Sequence, residues 1–129
     1  MGFFKNISKE VKASEPRSEK WLESTDDLDK IIQESYNKPV AIFKHSSRCG
    51  ISKVVQNRTI SNWNTLESNV DIYFLDLLRF RSLSNYISEI FHVEHQSPQL
   101  IILKDGKSIY DRSHNSIDVD SINTELVKP

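Results

Sequence analysis

Val40-Ala41-Ile42-Phe43-Lys44-His45-Ser46-Ser47-Arg48-Cys49-Gly50-Ile51-Ser52 joins an uninterrupted apolar run to a polar turn and then to the only cysteine of the chain. Val40 to Phe43 has the pattern of a short strand covered on both faces, which belongs in the middle of a sheet flanked by helices. The polar residues His45 to Arg48 end that strand. Beyond them a helix is predicted from Cys49 or Gly50 to about Leu66, with Ile51, Val54, Val55 and Ile60 turned to the sheet. Cys49 therefore falls in the first turn of a helix that follows a central strand.

Working outward, Thr25 is a candidate cap for a helix in which Leu28, Ile31, Ile32 and Tyr36 recur at helical spacing, stopped by Asn37-Lys38-Pro39. Val70 to Leu75 reads as a second long strand, and Leu83, Ile87, Ile90 and Phe91 mark one face of a helix starting at Arg81 or Ser82. Leu100 to Leu103, the Asp105-Gly106 turn and Ser108 to Tyr110 make a β-hairpin, and Val119, Ile122 and Leu126 face inward from a closing helix. With a short strand at Lys20 to Leu22 the order becomes (β)αβαβαββα. This is an α/β layout, a central mixed sheet flanked by helices, and it matches the thioredoxin-like fold. The folded domain spans 20–129, preceded by a polar extension over 1–19 that contains Pro16 and shows no sustained period.

Composition narrows the partners. Among 129 residues, 17 Lys and Arg balance 18 Asp and Glu, so a net charge of -1 offers no field for nucleic acid or an anionic membrane surface. The first twenty residues lack the apolar core of a secretory signal, and no segment has the apolar length of a membrane span. A lone thiol also suits a reducing compartment, so a cytoplasmic monomer is expected.

The chemistry rests on Cys49. At the carboxyl end of a central strand, where open α/β sheets place their sites, a thiolate gains roughly 0.3–2 kcal/mol from the unpaired N–H groups and dipole of the helix start. Arg48, Lys44 and Lys53 can add to this, and His45 lies close enough in sequence to tune the same sulfur. A lowered pKa does little for the rate of attack but makes Cys49 a good leaving group, so a second thiol can expel it from a mixed disulfide. Cys49-Gly50-Ile51-Ser52 carries a hydroxyl where the two-cysteine motif carries its second sulfur. Ser52, one turn on, can donate to the thiolate or act as a plain first-turn cap. No internal disulfide can resolve an intermediate.

Lys44 to Ser52 resembles the YtxJ-like monothiol bacilliredoxins, and Leu83-Ser84-Asn85, then Val93, His95 and Ser97-Pro98-Gln99, then Ser113-His114 resemble further blocks of that family in the same order. The resemblance implies a thioredoxin fold and removal of the low-molecular-weight thiol bacillithiol from mixed disulfides on cytosolic proteins. Bacillithiol would be a co-substrate, with no bound cofactor. In such folds the proline of Ser97-Pro98 is cis and faces the active cysteine, so Ser97 and Pro98 are expected to wall the thiol-substrate site. Lys44, Arg48 and Ser97 are candidates for the sugar or carboxylates of bacillithiol. Gln99 reads as an ordinary strand residue.

Two other functions compete. Cys49-Gly50-Ile51-Ser52 also resembles the motif of monothiol glutaredoxins, which use glutathione and can hold an iron-sulfur cluster, but Gln96 precedes Ser97-Pro98 and no glycine follows Gly106, unlike the glutaredoxin pattern. An interaction domain with an incidental thiol is the other alternative. His45, His92, His95 and His114 lack the spacing and the thiolate partners of a metal site, and no metal is expected.

Overall fold

The structure, a computed structural model, describes residues 20–46 and 50–127. The extension over 1–19, and Ser47, Arg48 and Cys49 of the turn after the central strand, lie outside the described residues. Five strands form one sheet: β1 (Lys20–Trp21), β2 (Val40–His45), β3 (Asp71–Asp76), β4 (Gln99–Lys104) and β5 (Lys107–Ser113). Four helices accompany them: α1 (Thr25–Glu34), α2 (Gly50–Asn62), α3 (Arg81–Phe91) and α4 (Val119–Leu126). The sheet order is β1-β3-β2-β4-β5, with β1 and β2 parallel to β3 and with β2 antiparallel to β4. β2 is central, as its apolar run requires, and every residue from Val40 to His45 is buried.

The period of two along β2 divides the core. Ala41 and Phe43 join Ile72, Phe74, Leu100 and Ile102 beneath Val55 of α2, Trp63 and Ile122 of α4. Val40 and Ile42 join Leu75, Ile101 and Leu103 beneath Leu28 and Ile31 of α1 and Leu83 and Ile87 of α3. Lys44 is next in that second row, so its side chain enters the α1/α3 layer.

Three helix details differ from the sequence-based expectation. Ser24, not Thr25, caps α1, its Oγ accepting the N–H of Asp27 at 3.1 Å. In α2, Ile51 and Val54 are 59% and 64% exposed, while Ser52, Val55, Gln56 and Thr59 face inward. Apolar spacing alone could not decide this helix, because its inward stripe is mostly polar. Hydrogen bonds account for two of those polar groups: Ser52 Oγ accepts from the N–H of Ser46, and Thr59 Oγ1 donates to the Val55 carbonyl. The helix also ends sooner, passing into a 3-10 turn at Trp63–Thr65, where Trp63 Nε1 donates to the Val70 carbonyl at 2.8 Å.

The β4–β5 hairpin turns at Asp105 and Gly106, with φ of 53° and 76°. Both central residues at positive φ is the twist-compatible geometry of a two-residue hairpin. The turn is docked on the end of α1: the Asp105 N–H donates to the Ser35 carbonyl at 2.8 Å and the Gly106 N–H to Ser35 Oγ at 2.9 Å. A Cβ on Gly106 would also strike the Tyr36 ring. Gly106→Ala is therefore expected to lower stability by about 1–2 kcal/mol through the positive φ alone, read as a lower urea midpoint with an unchanged slope.

Candidate functional site

Among the described residues, those expected at the site lie toward one end of the sheet. β2 and β4 are antiparallel, with Lys44 opposite Gln99, so the chain leaves β2 toward Cys49 where it enters β4 from Ser97-Pro98. The Ser97-Pro98 peptide is cis, as the fold led us to expect. Its carbonyl side is held from the neighbouring strand end, where the N–H of His114 donates to the Pro98 carbonyl at 2.9 Å. Ser97 Oγ is shielded from solvent and, among the described residues, accepts or donates no hydrogen bond. A hydroxyl in that condition costs about 1–3 kcal/mol.

Cys49 and Arg48 lie outside the described residues, and the described residues on either side of them are anchored. On one side, the His45 carbonyl accepts the N–H of Leu77 at 2.9 Å. On the other, Ser52 is fully buried and its Oγ receives the Ser46 N–H at 3.1 Å. Ser52 therefore ties the first turn of α2 to the end of β2, a use of its oxygen that leaves the hydroxyl proton available. His45 is buried under Trp21, with ring centroids 5.6 Å apart and tilted by 54°. The outer face of α2 carries exposed Ile51 and Val54 within five residues of Cys49.

Lys44 corrects one expectation. It is 0% exposed and cannot meet a carboxylate of a small thiol from solvent. Its Nζ instead lies 3.1 Å from the Ser84 carbonyl, 3.0 Å from Ser88 Oγ and 3.4 Å from His95 Nδ1. These are three acceptors for the three N–H groups of an ammonium, and among the described residues no carboxylate pairs with it. Burial, helped by the Arg81 charge, lowers its pKa from 10.5 to about 8. Burial and the Lys44 and Arg81 charges likewise lower the pKa of His95, which favours the neutral ring. His95 is thus engaged with Lys44 and, at 3.3 Å, with Ser84 Oγ, while His92 takes the left-handed position after α3. Sequence inspection also missed Gln99, which is 1% exposed. Its Nε2 donates to the Glu94 carbonyl at 2.8 Å, and its Oε1 accepts the Gln96 N–H at 3.4 Å. The signal was present as two polar residues in otherwise apolar strands, but their pairing across β2 and β4 was not visible.

Comparisons with known proteins agree with this arrangement. Residues 20–122 match the family model described as "Monothiol bacilliredoxin BrxC". A solved structure reported as a candidate oxidoreductase with a thioredoxin fold is 31% identical, with a TM-score of 0.72 over 82% of this chain and 91% of that one. Fasciola hepatica thioredoxin is 18% identical with a TM-score of 0.68 over 83% of this chain and 98% of its own. Reduced Schistosoma mansoni thioredoxin pre-protein is also 18% identical, with a TM-score of 0.68 over 85% and 100% of the two chains. At that identity the two thioredoxins speak for the fold alone. No helix among the described residues is long and apolar enough to cross a membrane.

Two outcomes follow. Ser52→Ala leaves the Ser46 N–H without its acceptor, and a loss of about 1–3 kcal/mol is expected on urea unfolding. For Lys44, the unfolded chain keeps its proton to a higher pH than the folded chain, so the penalty for the buried charge is complete below about pH 8 and is relieved as pH rises toward 10.5. Relative to Lys44→Met, the wild type should therefore gain about 2 kcal/mol between pH 8 and pH 10, measured by denaturant titration across that range.

Proposed function

The chain belongs to the monothiol bacilliredoxin family, and from that premise we propose that Cys49 removes bacillithiol from mixed disulfides on client proteins. The observation that carries the proposal is that the end of β2, which leads in sequence to Cys49, lies beside the start of β4, which follows Ser97-Pro98, in a family of thiol redox proteins. The thiolate of Cys49 attacks the bacillithiol sulfur of the client disulfide. That S–S bond breaks, the client sulfur leaves as a thiolate and takes a proton from water, and Cys49 becomes disulfide-bonded to bacillithiol. A second bacillithiol thiolate then attacks the bacillithiol sulfur, forming bacillithiol disulfide and releasing the Cys49 thiolate. The client is reduced by two electrons, and two bacillithiol units are joined by the oxidised bond.

Each side chain of the site has a part in this scheme. The helix start and Arg48 stabilise the departing Cys49 thiolate, Ser52 holds the turn to β2 and offers its hydroxyl proton, and His45 packs behind the turn. Ser97 and Pro98 contact the bound thiol, and the unpartnered Ser97 Oγ supports a polar contact there. Exposed Ile51 and Val54 offer the client an apolar surface beside the reacting sulfur. The glutaredoxin alternative loses ground because the family match is to bacilliredoxins.

The test is release of bacillithiol from a labelled client by wild type and by Cys49→Ser. Activity should fall at least about a thousandfold, or to the uncatalysed rate, in the variant. Equal rates would remove the cysteine from the mechanism. A wild type active on a glutathionylated client but not on a bacillithiolated one would move the proposal to glutathione.

A further inference from the structure

A lysine in the middle row of a buried strand demands an explanation other than stability. An aliphatic residue at position 44 would continue the Val40, Ile42 row and bury more cheaply than an ammonium without a carboxylate. The same holds for Gln99, which stands directly opposite Lys44 on β4 and on the same face of the sheet. What the two share is the segment they reach. Lys44 holds α3 through Ser84 and Ser88, and with its third N–H it holds His95 in the segment that follows. Gln99 uses both ends of its amide on that segment, one on the Glu94 carbonyl and one on the Gln96 N–H. From the far side, the His114 N–H takes the Pro98 carbonyl. Residues 94–98 leave α3 by a left-handed turn at His92 and contain neither helix nor strand. Their course is set by these side chains.

We propose that Lys44 and Gln99 are positioning residues for the exchange reaction: a cross-strand polar clamp, buried beneath the site, that sets where Ser97 and Pro98 stand relative to the reacting sulfur. The proposal rests on Ser97-Pro98 being the wall of the thiol site, as proposed above. Neither side chain touches substrate, and neither alters the thiol. The clamp acts on the geometry of the bound disulfide, so it matters for a substrate that must lie along the wall and not for one that only has to reach the sulfur.

The test compares two probes on wild type, Lys44→Met and Gln99→Leu. Dithiobisnitrobenzoate, a small aromatic disulfide, reports the reactivity of Cys49, and a bacillithiolated peptide requires the wall. Both variants should react with the peptide about tenfold or more slowly while their rates with the small disulfide stay within about twofold. Lys44→Met should meanwhile be at least as stable as wild type at pH 7, since a buried charge is removed. Peptide rates within about twofold of wild type in folded variants would overturn the clamp, and so would an equal fall with both probes. Hydrogen exchange gives a readout independent of activity. The Gln96 amide should lose about tenfold or more of its protection in Gln99→Leu, and the His95 ring nitrogen resonances should shift in Lys44→Met. If wild type fails on the peptide, the assigned reaction fails, and these two signals alone decide the clamp; unchanged signals refute it.

Discussion

Complete burial of β2 is the constraint on which the rest of the molecule depends. The strand lies between β3 and β4 and under helices on both faces, so all six of its residues are buried. Its backbone groups are satisfied by the two ladders. Its first four side chains are apolar and divide evenly between two cores. The last two are polar, and each must find partners inside the protein. Lys44 finds three acceptors beneath α3 and before β4, and His45 packs against Trp21. The transition from apolar to polar along one strand is what converts the centre of the sheet into the edge of a site.

That transition is matched on the neighbouring elements. α2 presents a polar inward stripe, and its first inward residue, Ser52, closes the turn by accepting the Ser46 N–H. β4 begins with buried Gln99 before its apolar run. The result is a polar layer at the carboxyl end of β2, lying over two apolar cores. Stability comes mainly from the cores, at roughly 25 cal/mol for each Å² of apolar surface removed from water. The polar layer contributes position more than stability, because exchanging a water hydrogen bond for a protein one gains only about 1 kcal/mol. Thiol exchange needs position, since two sulfurs and a leaving sulfur must align.

The strands, the order of the helices and the hairpin turn were legible because each is written in local pattern: continuous apolar runs, helical spacing and an Asp105-Gly106 pair. The family was legible too, and its model matches residues 20–122. The rotation of α2 was not. Ile51, Val54 and Val55 suggested one inward face, but a helix start tied down at Ser52 turns Ile51 and Val54 to solvent. Lys44 looked like a ligand for a carboxylate because its charge was counted and its burial was not.

By itself, then, the amino-acid order determined which segments are strands and helices and which family the chain belongs to, since these depend on residues near one another in sequence. Only the tertiary structure decided that Lys44 and Gln99 face each other, that His95 and Ser88 converge on one ammonium, and that α2 presents Ser52 inward. Those facts depend on strand register and helix rotation. Both are set by packing between segments about fifty residues apart, which no local pattern records.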